Sequence, residues 1–441
     1  MTMAPPNETV NETVDEAAGG AARPAASGLP RLLPLVPGVP EDLRTHLARY
    51  GRPPLGHPGG QLITAIQEAG LTGRGGAALP VYRKLAIVAR ARGRKVIVAN
   101  GAESEPASRK DGLLLRAAPN LVLDGLQLAA EAIGASEAHL YLHPGFGPEI
   151  GHALSQRAAA GLDRLGVRIT EAPPRFLAGQ ESALVNRLSG GPAVPTFVPP
   201  RVSERGLGGA PTLVQNVETL AHLALIARYG PRWFRALGTA QEPGTMLATV
   251  YQADGISQVM EVEIGVPLST LLASQPAAQA LLIGGYHGTW LPMAQAASLT
   301  LDNATLNQRG AAVGAGVIAA LPADRCGLVE AARVARYLAT ESAGQCGPCL
   351  NGLPRMAAGL AELAGRGHRK QVRADLERWA GLVTRRDACN HPDGTARFVA
   401  SALTVFAPEI SVHARGHCSA TNRTPFLPLP HGMPTTEDDW I

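Results

Sequence analysis

The sequence predicts three folded parts: an α/β unit with a parallel sheet, a small β-grasp-like module and a C-terminal helical bundle. Three observations predict it. Between residues 95 and 169, short apolar strands alternate with amphipathic helical stretches, the pattern of a parallel sheet with crossover helices. Between residues 246 and 283, two β-rich runs, a short helical stretch and a third run follow one another without long crossovers. Beyond Cys326 only helical periodicity remains.

Taken in order, residues 1–35 are polar and then Ala/Gly/Pro-rich, with a tandem NETV at 7–14, and read as a disordered tail. The α/β unit spans residues 36–235. Within it Gln61–Ala69 has helical spacing and Lys95–Ala99 is a buried strand running into Asn100-Gly101-Ala102-Glu103-Ser104-Glu105-Pro106. Leu121–Ile133 is a helix, His139–Leu142 a strand, residues 147–160 a helix and Val167–Ile169 a strand. The β-grasp-like module, residues 236–322, holds strands at Met246–Tyr251 and Val259–Ile264, a helix at Leu268–Leu272 and a strand at Leu281–Ile283. The helical region, residues 323–412, shows four apolar faces, beginning with Leu328, Ala331, Val334 and Leu338, joined by short connections as in a bundle. Residues 413–441 read as a second tail.

Composition narrows the function classes. A chain of 441 residues exceeds one core, and 45% hydrophobic with 17% charged residues is ordinary for a globular protein. No apolar run approaches the ~20 residues of a membrane span. A net charge of +4 without any dense Lys/Arg run does not indicate nucleic acid. The start lacks a basic, apolar leader, and five cysteines do not suit a disulfide framework, so a reducing cytoplasm is the expected compartment.

Four stretches and one cysteine group carry chemistry. In Thr72–Leu85 three glycines, Gly73, Gly75 and Gly76, fall within four positions, with Arg74 among them and Lys84 further on, a turn able to form an anion-binding concavity. A plain surface loop of small residues reads equally well. Its text fits the dinucleotide fingerprint, but the preceding segment has helical spacing, which argues against a Rossmann turn. Glu103 and Glu105 follow an apolar strand, where ligands of parallel sheets sit. Gly179-Gln180-Glu181 precedes a helix start that favours anions, and Gln215-Asn216 precedes an apolar helix, as a cap or as ligands. Cys346-x-x-Cys349 lies in one interhelical connection and Cys389 in another; such thiolates select iron–sulfur clusters or zinc, with His391 able to complete either set.

In this order the stretches resemble the NADH-binding flavoprotein subunit of respiratory complex I and its relatives in NAD-linked formate dehydrogenases and hydrogenases. The resemblance runs from about Val36 to Ile410. It rests on the glycine loop ending in Lys84, NGAESEP with Lys110-Asp111, GQESAL, TLVQNVETL, ESAGQCGPC and Cys389. It implies an α/β flavin domain with a parallel sheet, a ubiquitin-like β-grasp domain and a four-helix bundle bearing an iron–sulfur cluster. The implied activity is electron transfer from NADH through FMN to that cluster and on to a ferredoxin-like carrier or other redox subunits. Gly73, Arg74, Gly75 and Lys84 would hold the FMN phosphate side, and Asn100, Glu103, Gly179, Gln180, Gln215, Asn216 and Thr219 the rest of the flavin. Glu103 and Glu181 would be catalytic, Glu105 and Glu181 would face the nicotinamide, and Cys346, Cys349, Cys389 and His391 would bind the metal.

The departures are as informative. The cluster motif opens with Ala343 where the family has a cysteine, which implies a [4Fe–4S] cluster with His391 or an exogenous ligand as substitute, a [3Fe–4S] form, or a degenerate site. The family stacks adenine among aromatic rings, and the matching positions are Leu79, Ile87 and Arg201. The acidic loop has Ala102 for an aspartate, and Gln180 replaces a glutamate. Beside the NADH oxidoreductase stand two other readings: a flavin and iron–sulfur relay that does not use NADH, and a non-redox scaffold with zinc at the cysteines.

Overall fold

The computed structural model describes residues 28–56, 58–272, 277–386, 389–430 and Trp440. The NETV tandem lies outside the described residues. Four strands build the first sheet: β1 (Val96–Gly101), β2 (Glu137–Leu142), β3 (Val167–Glu171) and β4 (Thr212–Asn216). All are parallel, in the order β3-β2-β1-β4. The side chains of β1 alternate as a pleated strand requires. Ile97 and Ala99 enter a core with the helices Val81–Arg90, Pro119–Ile133 and Val217–Phe234. Val96 and Val98 enter a different core on the opposite face.

Local signals fix the crossovers. The helix Pro119–Ile133 starts with proline in its first turn and stops at Gly134, whose φ of 68° gives the left-handed cap. It lies so close to Val217–Phe234 that a Cβ on Gly125 would meet the Leu220 carbonyl oxygen at 2.0 Å.

The second sheet holds β5 (Thr245–Tyr251), β6 (Ser257–Glu263), β7 (Ala278–Ile283), β8 (Thr289–Pro292) and β9 (Val317–Pro322) in the order β6-β5-β9-β7-β8. β5 runs parallel to β9; the other pairs are antiparallel. Alternation again splits the faces: Ile318 and Ala320 pack under the short helices of this unit, while Val317, Ala319 and Leu321 join the core that holds Val96 and Val98. The helices Gly327–Thr340, Leu353–Ala364, Val372–Val383 and His391–Val405 pack together on that same core, with Ala407–Ala414 laid against them. The α/β unit, the second sheet and the helices therefore share one hydrophobic interior.

Sequence reading missed β4, β8 and β9. It also misjudged both tails where they are described. Leu32 is fully buried, and the Glu261 carboxylate accepts the backbone N–H groups of Arg31, Leu32 and Leu33. At the other end Glu330 accepts the N–H groups of Phe426 and Leu427, the Pro428 carbonyl accepts the Tyr286 hydroxyl, and Trp440 lies 3.8 Å under the Arg175 guanidinium. No helix among the described residues is long and apolar enough to cross a membrane.

Candidate functional site

The strand order sets where a ligand can sit. From β1 the chain builds β2 on one side and later β4 on the other, so a crevice opens beyond the carboxyl ends of β1 and β4. A cleft of about 360 Å³ occupies that place, lined by Gly73, Gly75, Lys84, Asn100, Glu181 and Gln215 among others. A smaller hollow of about 110 Å³ adjoins it through Gly75, Asn100, Gly179 and Asn216, and is walled by Glu103 and Glu105. The glycine turn is closed by a bridge between Thr72 and Pro80 and by Gly73 N–H donating to the Leu79 carbonyl at 2.9 Å. A Cβ on Gly75 would stand 3.4 Å from Asn216, so small residues keep the turn close to β4. The Gln215 side-chain nitrogen is buried in this wall without a hydrogen-bond partner among the described residues. A glycine-floored cleft with a spare amide donor fits FMN.

The structure brings the expected flavin residues together but gives several of them other work. Glu103, at a φ of +40°, accepts from the Asp111 and Gly112 N–H groups at 2.9 and 2.7 Å and from Ser108. Both of its oxygens are thus engaged at the start of the helix Lys110–Ala117. Gln180 caps the helix Glu181–Leu188 through Ser182 and Ala183. Asn216 caps Val217–Phe234 through Glu218. Asn100 donates to the Gly179 carbonyl at 2.8 Å, and the Thr219 hydroxyl accepts the Arg74 N–H. The Arg74 side chain is buried beside the smaller hollow, bonding Thr72 and the Thr245 carbonyl of β5. Lys84 lies on the cleft, its ammonium 2.9 and 3.0 Å from the two Glu181 oxygens.

Behind the cleft is a charged group that sequence reading did not assemble. Lys110 Nζ sits 2.7 Å from Asp111 and 2.9 Å from Glu218. Burial pushes Asp111 up to about 7 against the pull of Lys110. Burial also pushes Glu218 upward, but Lys110 and His222 outweigh it and hold Glu218 at about 2. Glu218 further accepts the Leu247 N–H, tying the helix Val217–Phe234 to β5. Glu105 accepts from the Tyr286 and Ala107 N–H groups at 2.8 and 3.2 Å, and burial pushes its carboxyl up to about 7. The acid pair after β1 was the signal for Glu105; for Glu218 it was only a glutamate in an apolar helix start.

The thiols gather among the C-terminal helices. Cys346 and Cys349 flank the entry to Pro348–Gly352, and Cys389 precedes His391–Val405. Burial pushes the Cys349 thiol up to about 12; a hydrogen bond with Ser342 opposes this, and the nearby Cys346 and Cys389 sulfurs add to it. Among the described residues, the three sulfurs do not form a set with all ligand atoms within 4.8 Å. Ala343 packs at the same edge and supplies no ligand. His391 is not a candidate replacement: its Nε2 meets the Leu338 carbonyl at 2.8 Å and its Nδ1 meets His287 at 2.9 Å, so both nitrogens are committed inside the core. Asn390, next to Cys389, belongs to the wall of the flavin-sized cleft.

Comparison with known proteins agrees with this layout. Residues 66–225 match the Nuo51 FMN-binding domain, and residues 330–413 match the NADH-ubiquinone oxidoreductase-F iron-sulfur binding region. The chain is 28% identical over 374 residues to the second F subunit of the NADH-quinone oxidoreductase of Rhizobium meliloti (strain 1021), covering 80% of this chain and 88% of that one. It is 31% identical over 373 residues to the NAD-reducing hydrogenase HoxS subunit alpha of Cupriavidus necator, covering 79% of this chain and 60% of that one. Among solved structures, an NAD⁺-reducing [NiFe]-hydrogenase in the H₂-reduced state superimposes with a TM-score of 0.75 at 28% identity, over 82% of this chain. This chain spans 63% of that hydrogenase chain. With both domains present in order, the chain belongs to the family of complex I flavoprotein subunits and their counterparts in NAD-reducing hydrogenase.

Proposed function

We propose that the protein is an NADH dehydrogenase of the flavoprotein type, oxidising NADH at FMN and passing electrons through an iron–sulfur cluster to another redox subunit or a ferredoxin-like carrier. One observation carries it: the cleft and the thiol group meet at Cys389–Asn390, so a ligand in one borders the loop that holds the other. Bound FMN supplies the conversion of a hydride into single electrons, and a bound cluster supplies the onward step.

This chain's residues do the positioning. Lys84 would turn from Glu181 to the FMN phosphate, leaving Glu181 toward the dinucleotide. Gly73 and Gly75 let the turn approach the ligand, and the spare Gln215 amide donates into it. Glu105, with its carboxyl near 7, would present a group able to hold or release a proton beside the nicotinamide. Cys346, Cys349 and Cys389 would bind the cluster, leaving one position without a cysteine at Ala343. The order β6-β5-β9-β7-β8 supports a β-grasp reading of the second sheet, and the four longer C-terminal helices support the bundle reading.

A second reading, a relay without NADH, draws on Leu79 and Ile87, which stand 57% and 44% exposed where the resemblance places adenine-stacking rings. Anaerobic titration with NADH decides. Bleaching of the flavin absorption supports dehydrogenase activity, and a flavin band indifferent to NADH overturns it in favour of the relay.

A further inference from the structure

Cys326 and Cys418 look isolated in the sequence, yet the fold brings them together. The helix Ala407–Ala414 carries Glu409 and His413 one turn apart on the same face. The chain then reverses at Gly416, whose φ is 81°, and delivers Cys418. Cys326 is the residue just before the helix Gly327–Thr340. The ligand atoms of Cys326, Glu409, His413 and Cys418 all lie within 4.8 Å of one another. Cys326 Sγ is 3.6 Å from His413 Nε2, which is 3.0 Å from a Glu409 oxygen. Tetrahedral zinc with S at 2.3 Å and N or O near 2.0–2.2 Å sets its ligands roughly 3.2–3.8 Å apart, the same scale.

The hydrogen bonds orient the same side chains toward one another. His413 Nδ1 faces the Leu363 carbonyl at 3.1 Å. A carbonyl only accepts, so Nδ1 donates to it, and Nε2 is the nitrogen turned into the group. That is how a metal-bound histidine is oriented by its outer partner. Nε2 faces a Glu409 oxygen, on a side chain that Ser419 holds in place through its N–H and hydroxyl. Nitrogen and carboxylate at that distance share a positive charge, a proton on Nε2 or a cation in its place. The backbone N–H groups of Leu328 and Val329 point at the Cys326 sulfur and fix its position. A cavity of about 230 Å³ opens on Cys326, His413 and Cys418 and is lined by Arg325, Arg366 and Arg423, which offset the excess negative charge of two thiolates and a carboxylate on a divalent ion.

We propose that Cys326, Glu409, His413 and Cys418 form a structural zinc site, distinct from the cluster thiols. The 14-residue helix Gly327–Thr340 lies between them, about 21 Å at 1.5 Å per residue. The ion would fasten the C-terminal stretch to the start of that helix. The same stretch continues to Pro428, which holds Tyr286, and the Tyr286 N–H holds Glu105.

The test uses the full chain, purified anaerobically from zinc-supplemented medium, with zinc and iron quantified by mass spectrometry. The wild type should carry about one zinc per chain. Cys418→Ser, on a partly exposed turn, should lose it while iron and flavin stay unchanged. Cobalt(II) added to the zinc-stripped wild type should give thiolate-to-metal charge-transfer absorption, absent in Cys418→Ser. Background zinc in the wild type with no cobalt band overturns the site. So does a Cys326–Cys418 disulfide in the anaerobic protein, or zinc that persists in Cys418→Ser.

Discussion

Replacing Lys84 by alanine separates binding from folding at the cleft. Its ammonium is shared between both Glu181 oxygens at 2.9 and 3.0 Å, with side chains 29% and 34% exposed. An ion pair that wet contributes at most about 1 kcal/mol to stability. A charge-assisted contact to a phosphate is larger, about 1.5–3 kcal/mol, or roughly 10- to 150-fold in Kd. Lys84→Ala should therefore weaken FMN binding by that factor and shift unfolding of the flavin-free chain by less than ~1 kcal/mol. Glu181→Gln should act in the opposite direction, because it frees the ammonium; FMN should bind up to about fivefold tighter. Quenching of free flavin fluorescence on titration into flavin-free protein measures both constants. A Kd for Lys84→Ala within about twofold of wild type, or a Glu181→Gln variant that binds FMN more weakly, would refute the assignment of Lys84 to the phosphate.

Leu79→Phe should lower the KM for NADH by roughly fivefold or more if one restored ring stacks on adenine at ~1–3 kcal/mol, read in steady-state rates. His391→Ala should leave iron content and cluster absorption unchanged while lowering stability by about 2–4 kcal/mol, since it opens a hole in the core; loss of iron would return the imidazole to the ligand set. Glu105 has its folded pKa raised from 4.5 to about 7, so the stability tied to its protonated form is full below 4.5 and lost as pH rises through 7. Glu105→Gln should thus gain on wild type by on the order of 3 kcal/mol at pH 8.5 and little at pH 4.5, in chemical denaturation at each pH. Gly125→Ala should cost at least ~3 kcal/mol in the same assay, because its Cβ would meet the Leu220 carbonyl oxygen at 2.0 Å and force the two helices away from each other.

Strands with unbroken apolar runs, β1 and β2, were legible from sequence. β4 was not: Thr212–Asn216 ends in two amides and runs directly into Val217, so the cap at Asn216 masked the strand before it. β9 (VIAALP) is apolar without alternation because both its faces are buried, and nothing in its text separates it from a helix. The segments read as tails are pinned by Glu261 and Glu330, carboxylates far away in sequence that only the fold brings near. At the site, the stretches were legible and the roles were not. Glu103, Gln180 and Asn216 all follow strands or loops into helix starts, where one polar side chain suits a ligand and a cap equally well. The geometry shows the cap contacts, and the same residues line the cleft and its adjoining hollow.

One carboxylate joins the two halves of the proposed electron path. Glu341 is the last residue before the Ser342–Cys349 segment, and it is buried against Arg175 at 3.0 Å while also accepting the Phe176 N–H at 2.8 Å. Phe176 leads within a few residues to Gly179 and Gln180 on the cleft, and its ring meets His287 and His391 beside Cys389. The loop that shapes the cleft and the loop that carries the first two thiols therefore hang from the same ion pair. Such a pair adds little to stability on its own, since apolar residues of the same volume often serve as well, but losing one partner leaves a buried charge that costs about 3–5 kcal/mol. What it enforces is geometry: neither loop can move without breaking a contact of the other. Because transfer between two centres depends on a fixed separation, a buried ion pair at this junction does what a hydrophobic patch, free to slide, would not.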